Sequence, residues 1–278
     1  MKRIKGNVIW MILRGLFISI IVLLCLFPIL WVFTSSFKSN REILSGTFSL
    51  PQSFQLDNYV TAFKLTPFVT FFKNSIITAC FGTIGNLIIM GMAAYAVARF
   101  RMRHKGWLRI LFSSVLFIPG SALLYPLYNT MNALGLKDTH IALILVYIGF
   151  GSATTFYIIQ SYTMTIPVEL EEAAYIDGGS VFYTYLKIIV PICKPCFAAA
   201  AVLQFLLCWN EFQFALILTT GNKVRTLPIA LYYFTSQFSS DYGAMMAATV
   251  MVVLPSICIF ILLQKQIISG MVSGAVKG

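Results

Sequence analysis

Charged side chains are missing from long, well-separated stretches of this chain. Residues 15–37, 74–98, 110–136, 141–168 and 242–264 hold no Asp, Glu, Lys or Arg, and 195–222 holds only Glu211. A helix needs about 20 predominantly apolar residues to cross roughly 30 Å of hydrocarbon, and each stretch is long enough. A water-covered fold is excluded by the same pattern. With 59% hydrophobic and 10% charged residues among 278, too little polar surface remains to cover a soluble core. The expected fold class is an all-α membrane protein, a single transmembrane domain over 1–278. Its six helices are expected at about 15–37, 74–98, 110–136, 141–164, 195–220 and 242–264.

An even number of crossings puts both termini on one side. Arg99, Arg101, Arg103, Lys105 and Arg109 crowd the short segment between the second and third spans, and most of the 20 bases fall on the same side. Bases are retained in short cytosolic loops, so both termini are expected in the cytosol. The net charge of +11 then needs no nucleic acid to explain it. The basic start, Met1-Lys2-Arg3-Ile4-Lys5, resembles the flank of a signal peptide. The apolar run behind it is span-length and ends in Phe33-Thr34-Ser35-Ser36, without the small-residue cleavage site, so it reads as an uncleaved first helix.

Chemistry-bearing motifs are sparse. The six cysteines lie in or beside spans, where a disulfide framework is implausible. Cys193-Lys194-Pro195-Cys196 lacks a second pair or nearby histidines, and reads as two small apolar residues at a helix start rather than a metal or redox site. There is no phosphate-binding G-x-x-x-x-G-K-[ST] and no H-E-x-x-H, and His104 and His140 fall in loops on opposite membrane faces. No catalytic residue and no metal site are expected. Ion-coupled carriers usually place ionisable groups in their spans and repeat their halves. Here Glu211 stands alone and 1–140 does not repeat in 141–278, which disfavours a stand-alone carrier or channel.

The most informative segment is the cytosolic loop at 165–190, between spans four and five. Pro167, then Glu169, Glu171 and Glu172, suit the first turn of a helix, whose dipole favours negative charge. Gly178 and Gly179 stop it, Ser180 can cap a second helix through Val190, and Pro191 leads into the next span. A helix lying on anionic headgroups would be rich in Lys and Arg. Three glutamates with small Ala173 and Ala174 suit a protein partner instead.

At these residues the chain resembles a known family. Glu172-Ala173-Ala174, Gly178, Ile188 and Val190-Pro191 look like the E-A-A loop of membrane subunits of bacterial ATP-binding-cassette importers, with Val190 where leucine is commoner. Leu56-Asp57-Asn58-Tyr59, Asn74-Ser75, Ala93-Ala94-Tyr95-Ala96-Val97-Ala98-Arg99, Trp209-Asn210-Glu211-Phe212 and Gly274-Ala275-Val276-Lys277-Gly278 resemble the carbohydrate-importing branch, like the smaller permease of the maltose system. The resemblance implies a complex of this chain, a second homologous permease subunit, two cytosolic ATPase subunits and an extracellular solute-binding protein. This chain would bind no cofactor, with ATP and Mg held by the ATPase. It further implies that Glu172, Ala173, Ala174, Asp177, Gly178, Gly179 and Pro191 couple to the ATPase, and that the tail at Gly274, Lys277 and Gly278 reaches it. A permease for another solute class is the nearest alternative.

Glu211 is the other candidate. On a continuous helix Ala200, Gln204, Cys208, Glu211 and Ala215 share one small and polar stripe. A buried ionisable group in a span is either a pathway residue or an interhelical hydrogen-bonding group. Trp209 could stack on a sugar, and Asn210 or Gln213 could bond its hydroxyls. Pro28, Pro119, Pro126 and Pro255 read as bends. Gly91, Ala94 and Ala98 read as a close-packing face, and Tyr125, Tyr128 and Tyr147 as membrane-interface anchors or pathway residues.

Overall fold

The computed structural model describes residues 2–46, 48–236 and 241–275. All regular structure among them is helical. Three helices are long and apolar enough to cross a bilayer: α1 (Lys2–Ser35), α4 (Phe68–Arg99) and α15 (Tyr242–Ala275). The short α2 (Asn40–Ser45) and α3 (Asp57–Leu65) lie between the first two in the chain, and α14 (Ile229–Ser236) precedes the last. Three bent pairs meet the same test jointly. They are α5 (Lys105–Val115) with a 3-10 turn and α6 (Leu124–Ala133), bent by 99°; α7 (His140–Gly149) with α8 (Ser152–Thr163), bent by 47°; and the α10 (Val181–Thr184) to α11 (Val190–Ile192) segment with α12 (Lys194–Trp209), bent by 80°. The remaining short helices are α9 (Glu169–Ile176) and α13 (Gln213–Leu218).

The sequence reads Pro119 as a bend and the structure bends there, whereas the other two pairs bend where the sequence marks none. Pro119 stands at the sharpest break, lacking an N–H and disfavouring helix in the residue before it. Gly151 breaks the second pair at φ +93°, and an added side-chain carbon there would collide with Gln204. The expected span at 195–220 is likewise discontinuous: α12 ends at Trp209, and α13 starts only at Gln213. Pro28 and Pro255, by contrast, sit inside long helices.

The chain divides into two compact units. In the unit formed by 1–66 and 230–254, α1 keeps its large apolar side chains exposed along its length, from Trp10 to Phe33. Such a surface is stable only where lipid or protein replaces water. Ser39 and Glu42 cap α2 reciprocally. The Leu56–Tyr59 motif secures the chain just after α1. Its Asn58 amide donates to the carbonyls of Ser36 and Lys38, both at 2.9 Å, and Tyr59 Oη meets Ser36 Oγ at 2.7 Å.

In the unit formed by 67–229 and 255–278, α4 lies at the centre, with α7, α8 and α12 packed against it. Small residues permit the approach. A side-chain carbon on Gly91 would sit 2.7 Å from the Tyr185 hydroxyl and 2.8 Å from the Phe197 ring, and Ala94 is fully buried. At one end of this unit Asn74 donates to the Lys223 and Arg225 carbonyls, both at 2.9 Å. Asp138, at φ 62°, accepts from the N–H groups of Thr220 at 2.8 Å and Gly221 at 3.0 Å. Those amides, Gly221 foremost, hold the Asp138 carboxyl below the usual carboxylate range.

Candidate functional site

The acidic loop folds as a hairpin whose two sides differ. Glu169, Glu171 and Glu172 occupy the first turn of α9, where the helix dipole favours them. The helix ends in a Schellman turn, with Gly178 at φ +82°. The Gly179 N–H donates to the Ala174 carbonyl at 2.8 Å, and the Gly178 N–H donates to that of Tyr175 at 3.1 Å. Ser180 caps the next helix by accepting from the Tyr183 N–H at 3.2 Å. That helix widens into a π-type turn at Tyr185–Ile189 before reaching Pro191 in α11.

One side of α9 is exposed, at Glu172, Ala173, Asp177 and Gly178, with Ile176 86% exposed. A large aliphatic side chain standing that far out of an acidic helix is suited to a partner's surface. Beside it lies a notch of about 540 Å³ lined by Asp177, Gly178, Gly179, Ser180, Tyr183 and Lys187. The other side faces the bundle through Ala174 and Glu171, both buried. Glu171 lies 2.5 Å from Nε of Arg99 and accepts from the Tyr95 hydroxyl at 2.8 Å, while Arg99 Nη2 donates to the Ile166 carbonyl at 2.8 Å.

Sequence reasoning singles out Glu172 as the carboxylate of interest and passes over Glu171. The signal is present in the run Ala93 to Arg99, where Tyr95 and Arg99 stand one helical turn apart at the end of a span. What the sequence lacks is the partner. Of the tail residues, Gly274 lies in α15, whereas Lys277 and Gly278 lie outside the described residues.

The second cluster surrounds the break between α12 and α13, and it corrects the helical stripe expected through Glu211 and Ala215. The chain leaves the helix at Asn210, so Glu211 stands in the gap and caps α13. It accepts from the N–H groups of Phe214 at 2.7 Å and Ala215 at 3.0 Å, and from the Tyr147 hydroxyl at 3.0 Å. These unpaired N–H groups at the new helix start are what draw the carboxylate inward. Tyr147 is wholly buried and is therefore no membrane-interface anchor. Trp209 is also inward, 2% exposed, with Phe205 stacked on it and Phe72 edge-on. Asn210 and Gln213 are exposed, and Asn210 accepts from Ser256 at 3.1 Å.

Long apolar helices, broken spans satisfied by neighbouring polar groups, and a polar hairpin with an exposed apolar tip define a membrane-embedded helical protein. The family described as "Binding-protein-dependent transport system inner membrane component" matches residues 85–269, and the chain belongs to that family, whose function is transport. The chain is 35% identical over 265 residues to the trehalose transport system permease protein SugB of Mycobacterium tuberculosis, covering 94% of this chain and 95% of that protein. It is 34% identical over 262 residues to the probable ABC transporter permease protein YurM of Bacillus subtilis, covering 94% and 87%. The trehalose/maltose transport system permease protein MalG of Thermococcus litoralis is 33% identical over 262 residues, with 93% and 94% covered. The fold is also that of a chain in the crystal structure of a bacterial ABC transporter involved in the import of the acidic polysaccharide alginate, with TM-score 0.77, 24% identity and 94% and 97% coverage.

Proposed function

We propose that this chain is a permease subunit of an ATP-driven importer that carries a sugar or oligosaccharide into the cytoplasm by alternating access. The sugar class comes from its relatives, whose names specify trehalose and maltose. In this reading α1, α4, α15, the bent pairs α5–α6 and α7–α8, and the stretch from α12 through α13 are one crossing each, giving six spans in the cytoplasmic membrane with both termini and the α9 hairpin in the cytosol. The five bases at 99–109 support that orientation. The chain pairs with a second permease and receives solute from an extracellular binding protein. Two cytosolic ATPase subunits hold the ATP and Mg, and this chain holds no cofactor.

The observation that carries the reading is the two-sided α9: Glu172, Ala173, Ile176 and Asp177 face outward while Glu171 and Ala174 are held against the bundle. A partner shifts a conformational equilibrium only by interacting differently with its two states. The outward side supplies the contact with the ATPase, together with the 274–278 tail. Asn210 and Gln213 are the polar groups offered to the solute pathway, with Trp209 and Glu211 shaping the break behind them.

Co-purification from membranes tests this. An ATPase subunit should accompany the chain and be lost when Glu172, Ala173 and Ile176 are replaced together by lysine. Uptake that proceeds in vesicles with no ATPase would instead identify a stand-alone carrier.

A further inference from the structure

Chain connectivity joins α9 directly to α8 on one side and, through α10 and α11, to α12 on the other. It does not join α9 to α4, the helix around which α7, α8 and α12 pack. We propose that Arg99 is the positioning residue that makes this connection, so that a movement imposed on α9 is carried into α4. The proposal rests on the ATPase-coupling reading above.

The geometry is specific. Arg99 is the last residue of α4, and its guanidinium grips α9 at two points, the Ile166 carbonyl before the helix and the Glu171 carboxylate in its first turn. Tyr95, one turn earlier, holds the other carboxylate oxygen. Two residues of one helix thus clamp both oxygens of one side chain in the other. The selection among like charges is equally pointed. Arg101 and Arg103 are exposed, as are Glu169 and Glu172, while Glu171 is 3% exposed. A buried ion pair is a poor device for stability alone, because desolvation offsets much of the attraction. It is a good device for fixing register, since a planar guanidinium with two acceptors resists both sliding and rotation. Beyond the pair, Tyr95 packs on Tyr185 at 5.1 Å between ring centroids, which ties the second arm of the hairpin to the same turn of α4.

The test uses the complete reconstituted complex and reads two quantities, ATP hydrolysis and solute uptake per ATP hydrolysed. If wild-type complex contains no ATPase, the coupling reading itself fails, independently of this residue. Given the complex, Arg99→Gln and Glu171→Gln should each lower uptake per ATP by about tenfold, while the subunits still co-purify. The double variant should be no worse than either single one, because both remove one unit. Arg99→Lys should recover part of the loss, keeping the charge without the two-point grip. If Arg99→Gln does not accumulate, Tyr95→Phe, which deletes only a hydroxyl, should show the same effect in smaller measure. Unchanged uptake per ATP in these variants, or additive losses in the double variant, overturns the proposal.

Discussion

Tyr147 donates its hydroxyl hydrogen to the Glu211 carboxylate at 3.0 Å, joining two buried residues 64 positions apart. The contact ties α7 to the gap between α12 and α13. With the two N–H groups of α13 that Glu211 also accepts, it accounts for a carboxylate in an otherwise uncharged span. The break is thus closed by side-chain hydrogen bonds in place of the missing helical ones.

Replacing Glu211 by Gln puts an NH2 group where an acceptor is needed and strands a buried N–H, at a cost of about 1–3 kcal/mol. Tyr147→Phe should cost about 1 kcal/mol, since only one hydrogen bond is lost. Thermal unfolding in detergent should rank Glu211→Gln below Tyr147→Phe, and both below the parent. Equal melting of all three would contradict the capping role.

At Gly178 an added side-chain carbon meets nothing within 4 Å, so the penalty is purely one of backbone conformation at φ +82°. Gly178→Ala should cost about 1–2 kcal/mol, and Gly178→Asn less, because Asn tolerates the left-handed region. Gly178→Asp should remain in the membrane yet uncouple transport from ATP hydrolysis, measurable as hydrolysis without uptake. Normal uptake by that variant would remove the hairpin from the coupling path.

Gly179 presents the opposite case. A carbon there would sit 2.8 Å from the Ala174 carbonyl and 3.2 Å from the Tyr183 ring, so the turn itself must open. Gly179→Ala should therefore impair uptake more than Gly178→Ala, even though it forces no left-handed alanine. The two single variants compared in one uptake assay decide the order.

Asp138 makes one pH-dependent contribution to stability. Its folded-state pKa is lowered by the Gly221 and Thr220 amides, so its stabilisation is fully present above the unfolded value of about 4 and is lost as pH falls through the lower folded value. Asp138→Asn should melt below the parent at pH 7, and the gap should narrow on acidification. A gap that is constant from pH 7 to pH 3 would show that the carboxylate charge contributes nothing.

The hairpin is legible in sequence because its signals are local: acids in a first turn, two glycines at a stop, and a serine cap all act within a few residues. The inward turn of Glu171 is not, since three glutamates within four positions are equivalent until Arg99 and Tyr95 are brought beside one of them. Likewise Glu211 reads as one member of a helical stripe, because helical spacing assumes a continuous backbone. Nothing nearby in the chain announces that α12 ends at Trp209.

By itself the sequence marked the apolar stretches able to cross hydrocarbon, because the free energy of placing a charge in lipid belongs to each residue alone. Tertiary structure decided that α12 breaks off at Trp209, that Trp209 and Tyr147 lie buried, and which carboxylates are held inward. Those outcomes depend on partners far away in the chain. An unpaired N–H or a buried carboxylate is costly until another helix supplies the missing group.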